Sequence, residues 1–217
     1  MMGKPASTRV RIVEQARCLF NEQGYGAVTT AALAAQCGLS QGNLWYHFKT
    51  KRALLEALGE RFAVSIEHRL ALAPHSDPVN AYARLLAALM SEFRAFRFLY
   101  RDLSSYGEHP EIIRQNAPRW LEQTFAQIGQ HLAALVEADL LDWPRERLPD
   151  LAINATIILR YGLEHYRELG EPTGTGTGVV QRTLRRHLTL FEHKLAPASA
   201  ARLNSAIAQI ETTALAA

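Results

Sequence analysis

The sequence predicts an all-α fold, a three-helix N-terminal domain followed by a larger helical domain. Three observations carry this. Apolar residues recur at helical spacing in one segment after another, no segment shows the period-two alternation of a strand, and Ser, Thr, Asp, Gly and Pro stand at the ends of the periodic runs. Hydrophobic residues make up 48% and charged residues 21% of 217 positions, the balance of a globular chain. There is no internal repeat.

The elements follow in order. Ser7 or Thr8 opens a first helix in which Ile12, Val13, Ala16, Leu19, Phe20 and Gln23 share a face, and Gly24-Tyr25-Gly26 ends it. Thr29 or Thr30 caps a second short helix carrying Leu33, Ala34 and Cys37. Gly38 is placed to take the left-handed conformation that ends it. Ser40 caps a third, ending near Phe48, and Thr50 caps a fourth, running from Lys51 to about Leu72 on a stripe of Leu54, Leu55, Leu58, Phe62, Ile66 and Leu70. At 1.5 Å per residue the fourth helix is roughly 30 Å long. Such a rod reaches out of a small domain into the next, as a transmitter of motion or as a plain connector.

Ala73 to Pro78 marks a boundary. Asp77 caps a helix from Pro78 to about Phe98, and residues 97–103 bend into a short one ending near Gly107. His109-Pro110 starts a turn. A long helix begins at or near Pro118 and runs through Leu141, with Trp120, Leu121, Phe125, Ile128, Leu132, Leu135 and Val136 at core spacing. Further helices cover 151–169, 179–195 and, after Pro197, an alanine-rich stretch to about Ile210. Thr173 to Gly178 alternates Thr with Gly, but no strand precedes it and no Lys follows at nucleotide-binding spacing, so it reads as a flexible connector.

The second and third helices joined by a Gly turn have the outline of a helix-turn-helix, whose second helix enters the major groove of DNA. From Ser40 to Arg52 there is no acid and there are three cations, Lys49, Lys51 and Arg52. Leu39, Leu44 and Phe48 recur on one side, leaving Gln41, Gly42, Trp45 and Tyr46 outward. Gly42 costs a helix about 1 kcal/mol against Ala. On an outward face it fits a backbone that comes close to something large and flat; a solvated polar helix is the alternative. Net charge is +3, and residues 1–60 alone carry seven cations against four acids, so the positive field belongs to this segment.

Gly24-Tyr25, Thr29-Thr30, Leu33-Ala34, Cys37-Gly38-Leu39-Ser40 and the run from Gly42 to Lys51 resemble the DNA-binding domain of the tetracycline-repressor (TetR) family, over about Arg9 to Leu58. Trp45 departs from the family's usual Tyr and Asn43 from a common Thr, so no operator sequence carries over. The resemblance implies that Thr30, Ser40, Tyr46, His47, Lys49 and Lys51 grip phosphates. Gln41, Gly42, Asn43 and Trp45 are the candidates for base edges. It also implies a DNA-binding domain over 1–55, and an effector-binding and dimerising domain over 56–217 that pairs through the helices near 151–169 and 179–195.

Within that second domain the candidate pocket residues are Tyr100, Trp120, Phe125, Tyr161 and His165, since helical ligand sites are apolar with a few placed polar groups. Arg160 and Glu164 line such a pocket, pair across a subunit contact, or pair with each other on the surface. Leu184, Leu188 and Phe191, with Leu195, form a stripe suited to a dimer interface or equally to the chain's own core.

Together these readings describe a homodimeric repressor released from a palindromic operator on double-stranded DNA by a small-molecule effector. Two alternatives compete: a nonspecific architectural DNA-binding protein, and an enzyme on a helical scaffold. The eight His and 21 acids show no metal spacing, nucleophile elbow or clustered carboxylate pair, so neither a catalytic residue, a metal nor a cofactor is expected. There is no run of about 18 apolar residues for a membrane span. The first residues lack the apolar core of a signal peptide, and Cys18 and Cys37 read as reduced core thiols, which together predict a cytoplasmic protein.

Overall fold

The computed structural model describes residues 7–101 and 110–213. Among them run ten α-helices: α1 (Thr8–Gln23), α2 (Thr30–Gln36), α3 (Gln41–His47), α4 (Lys51–Leu70), α5 (Pro78–Ala95), α6 (Arg97–Arg101), α7 (Glu111–Glu137), α8 (Leu148–Glu168), α9 (Val179–Leu188) and α10 (Pro197–Thr213). They include no sheet, only an isolated bridge between Leu141 and Leu195. The helix end near Gly107 and the turn at His109 lie outside the described residues.

The starts of the helices are set by local chemistry. The side-chain oxygens of Ser7, Thr29, Ser40, Thr50 and Asp77 accept from the backbone N–H three residues on, at 3.4, 3.1, 3.2, 2.9 and 3.2 Å. Each satisfies one of the donors that an opening turn leaves unpaired. Boundaries elsewhere differ from the sequence reading. α7 begins at Glu111 and keeps Pro118 in its interior. Proline's φ is compatible with a helix, but an interior proline lacks an N–H and its ring crowds the carbonyl four residues back, a cost of about 3 kcal/mol that this 27-residue helix absorbs. It stops at Glu137, where Asp139 turns into positive φ and the Leu140 N–H closes back on Leu135 O at 2.9 Å. α9 ends at Leu188, and a separate 3-10 turn, Glu192–Lys194, precedes Leu195.

Contacts divide the chain into two compact units, one drawn from Met1–Ser65 and Ala95–Ala117, the other from Ile66–Arg94 and Pro118–Ala217. The first has a core of Ile12, Ala16, Phe20, Leu33, Leu44 and Phe48 with the Leu54, Leu55 and Leu58 face of α4. The ring of Phe20 meets Tyr25 and Phe98 edge-on or tilted, at 5.2 and 5.5 Å. The C-terminal end of α1 is bound to α6 through Asn21. Its side chain donates to Ala95 O and accepts from Phe98 N, and Arg97 and Arg101 donate to Asn21 O. Cations at a helix C-terminus satisfy its last carbonyls and favour its dipole.

The second unit is built on α5, α8, α9 and most of α7. α8 and α9 come together at Gly162. A Cβ there would stand 2.3 Å from Thr183 Cγ2, so only hydrogen fits. Leu184, Leu188 and Phe191 are at most 1% exposed in this unit. Of the two roles left open by their spacing, the chain's own core accounts for them, and the dimer-interface assignment does not hold. An apolar stripe has the same period whichever partner covers it.

Two polar groups of residues interrupt this apolar interior. Arg69 is buried and donates to Glu92 Oε2, Gln127 Oε1 and Thr124 Oγ1 at 2.8, 2.8 and 3.0 Å. Gln127 in turn donates to the carbonyls of Arg69 and Leu72, closing the C-terminal end of α4. In the second group, Tyr82 and His187 are fully buried with 2.7 Å between the hydroxyl and Nε2.

Burial holds the His187 imidazole neutral, its pKa pushed down from 6.5 to about 3. The unfolded chain therefore takes up a proton below pH 6.5 that the folded chain refuses. Stability from this residue is complete above pH 6.5 and falls by about 1.4 kcal/mol per unit as the pH drops toward 3. Urea midpoints at pH 7.5 and 5.5 are expected to show this loss, and His187→Gln to reduce it, the remaining slope coming from His131, whose burial also lowers its pKa. An equal slope in the variant would place the titration elsewhere.

Candidate nucleic-acid interface

The interface begins with a turn. Gly38, at φ +64°, lets the Leu39 N–H close on Ala34 O at 2.9 Å and the Gly38 N–H on Ala35 O at 3.0 Å. α2 therefore stops and the chain swings into Ser40, whose extended backbone opens α3. α3 is anchored on one side only. Leu44 and Phe48 are buried, Leu39 is half-buried, and Gln41, Gly42 and Asn43 are exposed.

The candidate residues fall into three groups. Gln41, Gly42, Asn43, Tyr46 and Lys49 stand in solvent, with Tyr46 77% exposed, the most exposed large hydrophobic side chain among the described residues. Ser40 is exposed, but its hydroxyl is engaged in capping. Thr30, Trp45 and His47 are half-buried; the outward reading of Trp45 is only partly realised, because its position flanks the buried Leu44. Lys51 turns inward. Its ammonium donates to Tyr25 O at 2.6 Å and Val28 O at 2.7 Å and lies 4.3 Å from the centre of the Tyr25 ring. Partial burial lowers its pKa. Its contacts brace the loop between α1 and α2, so a phosphate contact by Lys51 rests on the family resemblance alone.

One side chain at this surface escaped the sequence reading. Arg9, on the first turn of α1, donates from Nη1 to His47 O at 2.8 Å and lays its guanidinium 4.1 Å over the Phe48 ring. It was legible as a cation of the N-terminal segment but not as a partner of residues some forty positions away.

The candidate pocket residues do not converge. Tyr100 belongs to the first unit, edge-on to Phe62 at 5.5 Å. Trp120 is buried and Phe125 half-buried in the second, while Tyr161 is 52% exposed and donates to Glu168 at 2.7 Å. His165 lies against Arg186, Nη1 to Nε2 3.3 Å. Two open clefts of the second unit, about 500 and 660 Å³, have other linings: Val79, Ala83, Arg84 and Arg202 in one, Gly178, Gln181 and Arg185 in the other. Among the described residues, no group of three or more His, Cys, Asp or Glu could hold a metal ion, and no helix is long and apolar enough to cross a membrane.

A capped, acid-free helix held out by a Gly turn over a small helical core defines a DNA-binding helix-turn-helix regulator. Residues 12–58 match the family model for bacterial regulatory proteins of the tetR family, and residues 61–203 the TetR model for bacterial transcriptional repressors. The chain belongs to the TetR family of transcriptional regulators. It is 35% identical over 91 residues to the class A tetracycline repressor from transposon 1721 in Escherichia coli, covering 42% of this chain and 40% of that one. To the HTH-type transcriptional regulator UidR of Escherichia coli K12 it is 32% identical over 80 residues, 37% of this chain and 38% of that one. The matched region thus spans about two fifths of each curated relative. These relatives are transcriptional regulators, not enzymes.

Likeness in fold extends further. A TetR-family transcriptional regulator from Marinobacter aquaeolei VT8 superposes with a TM-score of 0.76 at 22% identity, covering 95% of this chain and 100% of that one. A gamma-butyrolactone receptor of the ArpA-like type gives 0.61 at 18%, covering 95% and 97%. Both show a shared fold.

Proposed function

We propose that this chain is a cytoplasmic homodimeric repressor that reads a palindromic operator through α3 and is released by a small-molecule effector bound within residues 56–217, with residues 1–55 as the DNA-binding domain. The observation that carries this is the outward face of α3, where Gln41, Gly42 and Asn43 stand exposed on a helix without an acid. Gly42 has nothing of the chain within 4 Å of where a Cβ would be, so its smallness answers no need of the fold itself. Dimerisation is supported by a row of exposed apolar side chains on α8: Ile153, Ile157 and Tyr161, 41, 57 and 52% exposed and four residues apart. In this reading the effector shifts α4 and spoils the spacing of the two readers on the duplex.

Selection from a pool of random duplexes tests the proposal. Enrichment of an inverted repeat supports it, and flat recovery favours an architectural binder held by phosphate charge alone. On the enriched sequence, Gln41→Ala is expected to cost about 1–3 kcal/mol and to leave binding to random duplex unchanged. Lys49→Ala should weaken both duplexes alike and reduce the salt dependence. Equal losses on both duplexes from both substitutions would refute the assignment of roles.

A further inference from the structure

We infer that Arg9 is a positioning residue for DNA reading: it fixes the C-terminal end of α3 from outside the helix-turn-helix. The inference rests on the proposed role of α3 and deepens it.

α3 is seven residues long, and at its end the Phe48 N–H closes on Leu44 O while the chain leaves in an extended conformation. A helix of two turns leaves its last carbonyls without intrahelical donors and has little intrinsic stability. The carbonyl of His47 is one of these, and the Arg9 Nη1 donates to it. The same guanidinium covers the ring of Phe48, which is 2% exposed and forms the inner anchor of the helix end. A planar cation at a helix C-terminus is favoured by both the hydrogen bond and the dipole. Arg9 itself sits on α1 next to Ser7, whose hydroxyl caps that helix, so its backbone is set by a separate element. Trp45, a base-edge candidate, is carried on the turn that Arg9 holds, together with Tyr46 and His47, which are edge-on to each other at 5.3 Å. Loss of the guanidinium frees that turn to shift, and the groove-facing side chains lose alignment while the phosphate-directed cations remain.

The test compares wild type, Arg9→Ala and Arg9→Lys by fluorescence anisotropy, on the duplex enriched from the random pool and on a scrambled one, across a salt series, with thermal melting as the control for folding. Positioning predicts that Arg9→Ala lowers the ratio of specific to scrambled affinity about tenfold, the scale of one misaligned base contact. The salt slope on the scrambled duplex should hold. Arg9→Lys keeps the charge without the planar fork, so it should leave the ratio below that of wild type while binding the scrambled duplex as wild type does. A direct phosphate contact would instead weaken both duplexes alike, lower the slope by roughly 0.9, and be rescued in full by Lys. That result, or an unchanged ratio in both variants, overturns the inference. If Arg9→Ala melts below the assay temperature, the ratio in Arg9→Lys decides. A wild type with no preferred duplex would defeat the reading of α3 itself, a separate outcome.

Discussion

Replacing Arg69 by Ala is expected to remove about 3–5 kcal/mol of stability, the cost of taking the cation out of a buried, hydrogen-bonded charge network. Glu92 is 3% exposed, and its Oε2 takes the Arg69 Nε–H at 2.8 Å. The substitution also strips Gln127 Oε1 and Thr124 Oγ1 of their donors. A chain of this size loses about 2–4 °C of melting temperature per kcal/mol, so a drop of roughly 10 °C should be seen. Pairing the change with Glu92→Leu, as Arg69→Met with Glu92→Leu, removes both charges and should recover most of it, because a well-packed apolar pair is often as stable as a buried ion pair. A loss under about 1 kcal/mol for Arg69→Ala would mean that the site hydrates, and that the network contributes no more than a surface pair.

Ile157→Arg should leave the helices intact and give a monomer. Ile157 is the centre of the exposed row on α8 and 57% exposed, so a polar side chain there meets solvent in the isolated chain. Were the row the face between two copies, the substitution would put two like charges into a symmetric contact, where each residue faces its counterpart. Two readers tethered in one dimer gain about 10²–10⁴ in avidity over one, and operator binding should fall on that scale. Sedimentation gives the mass, circular dichroism the fold, and anisotropy the affinity. Leu184→Ala is the contrast: it should destabilise the fold by about 2–5 kcal/mol, being buried in the chain's own core. A variant at 157 that stays dimeric would move the interface to another surface.

Much of this was legible in the sequence, and the division follows the range of the interaction. Thr29, Ser40, Thr50 and Asp77 could be read as caps because a cap acts three residues away. Gly38 was readable as a stop because few residues tolerate its φ. The apolar stripes of α1, α4 and α5 marked buried faces by period alone. Arg69, by contrast, sits where a cation normally faces solvent, and its partners lie 23, 55 and 58 residues away. Arg9 and Lys51 were hidden for the same reason: a cation in a basic segment reads as part of a positive field, and only the fold shows a carbonyl already holding it. The pocket candidates were hard to sort for another reason. Aromatic residues have one composition whether they fill a core, stack at a surface or line a cavity, and Tyr161 proved to be at the surface.

The fit of Thr183 against Gly162 has a consequence for how the second unit comes apart. Two helices seated so closely that neither can slide without a methyl group striking backbone are expected to come apart as a pair. Amide protons of both should exchange together, in one step with one free energy, so the exposed row on α8 belongs to the last part of this unit to unravel.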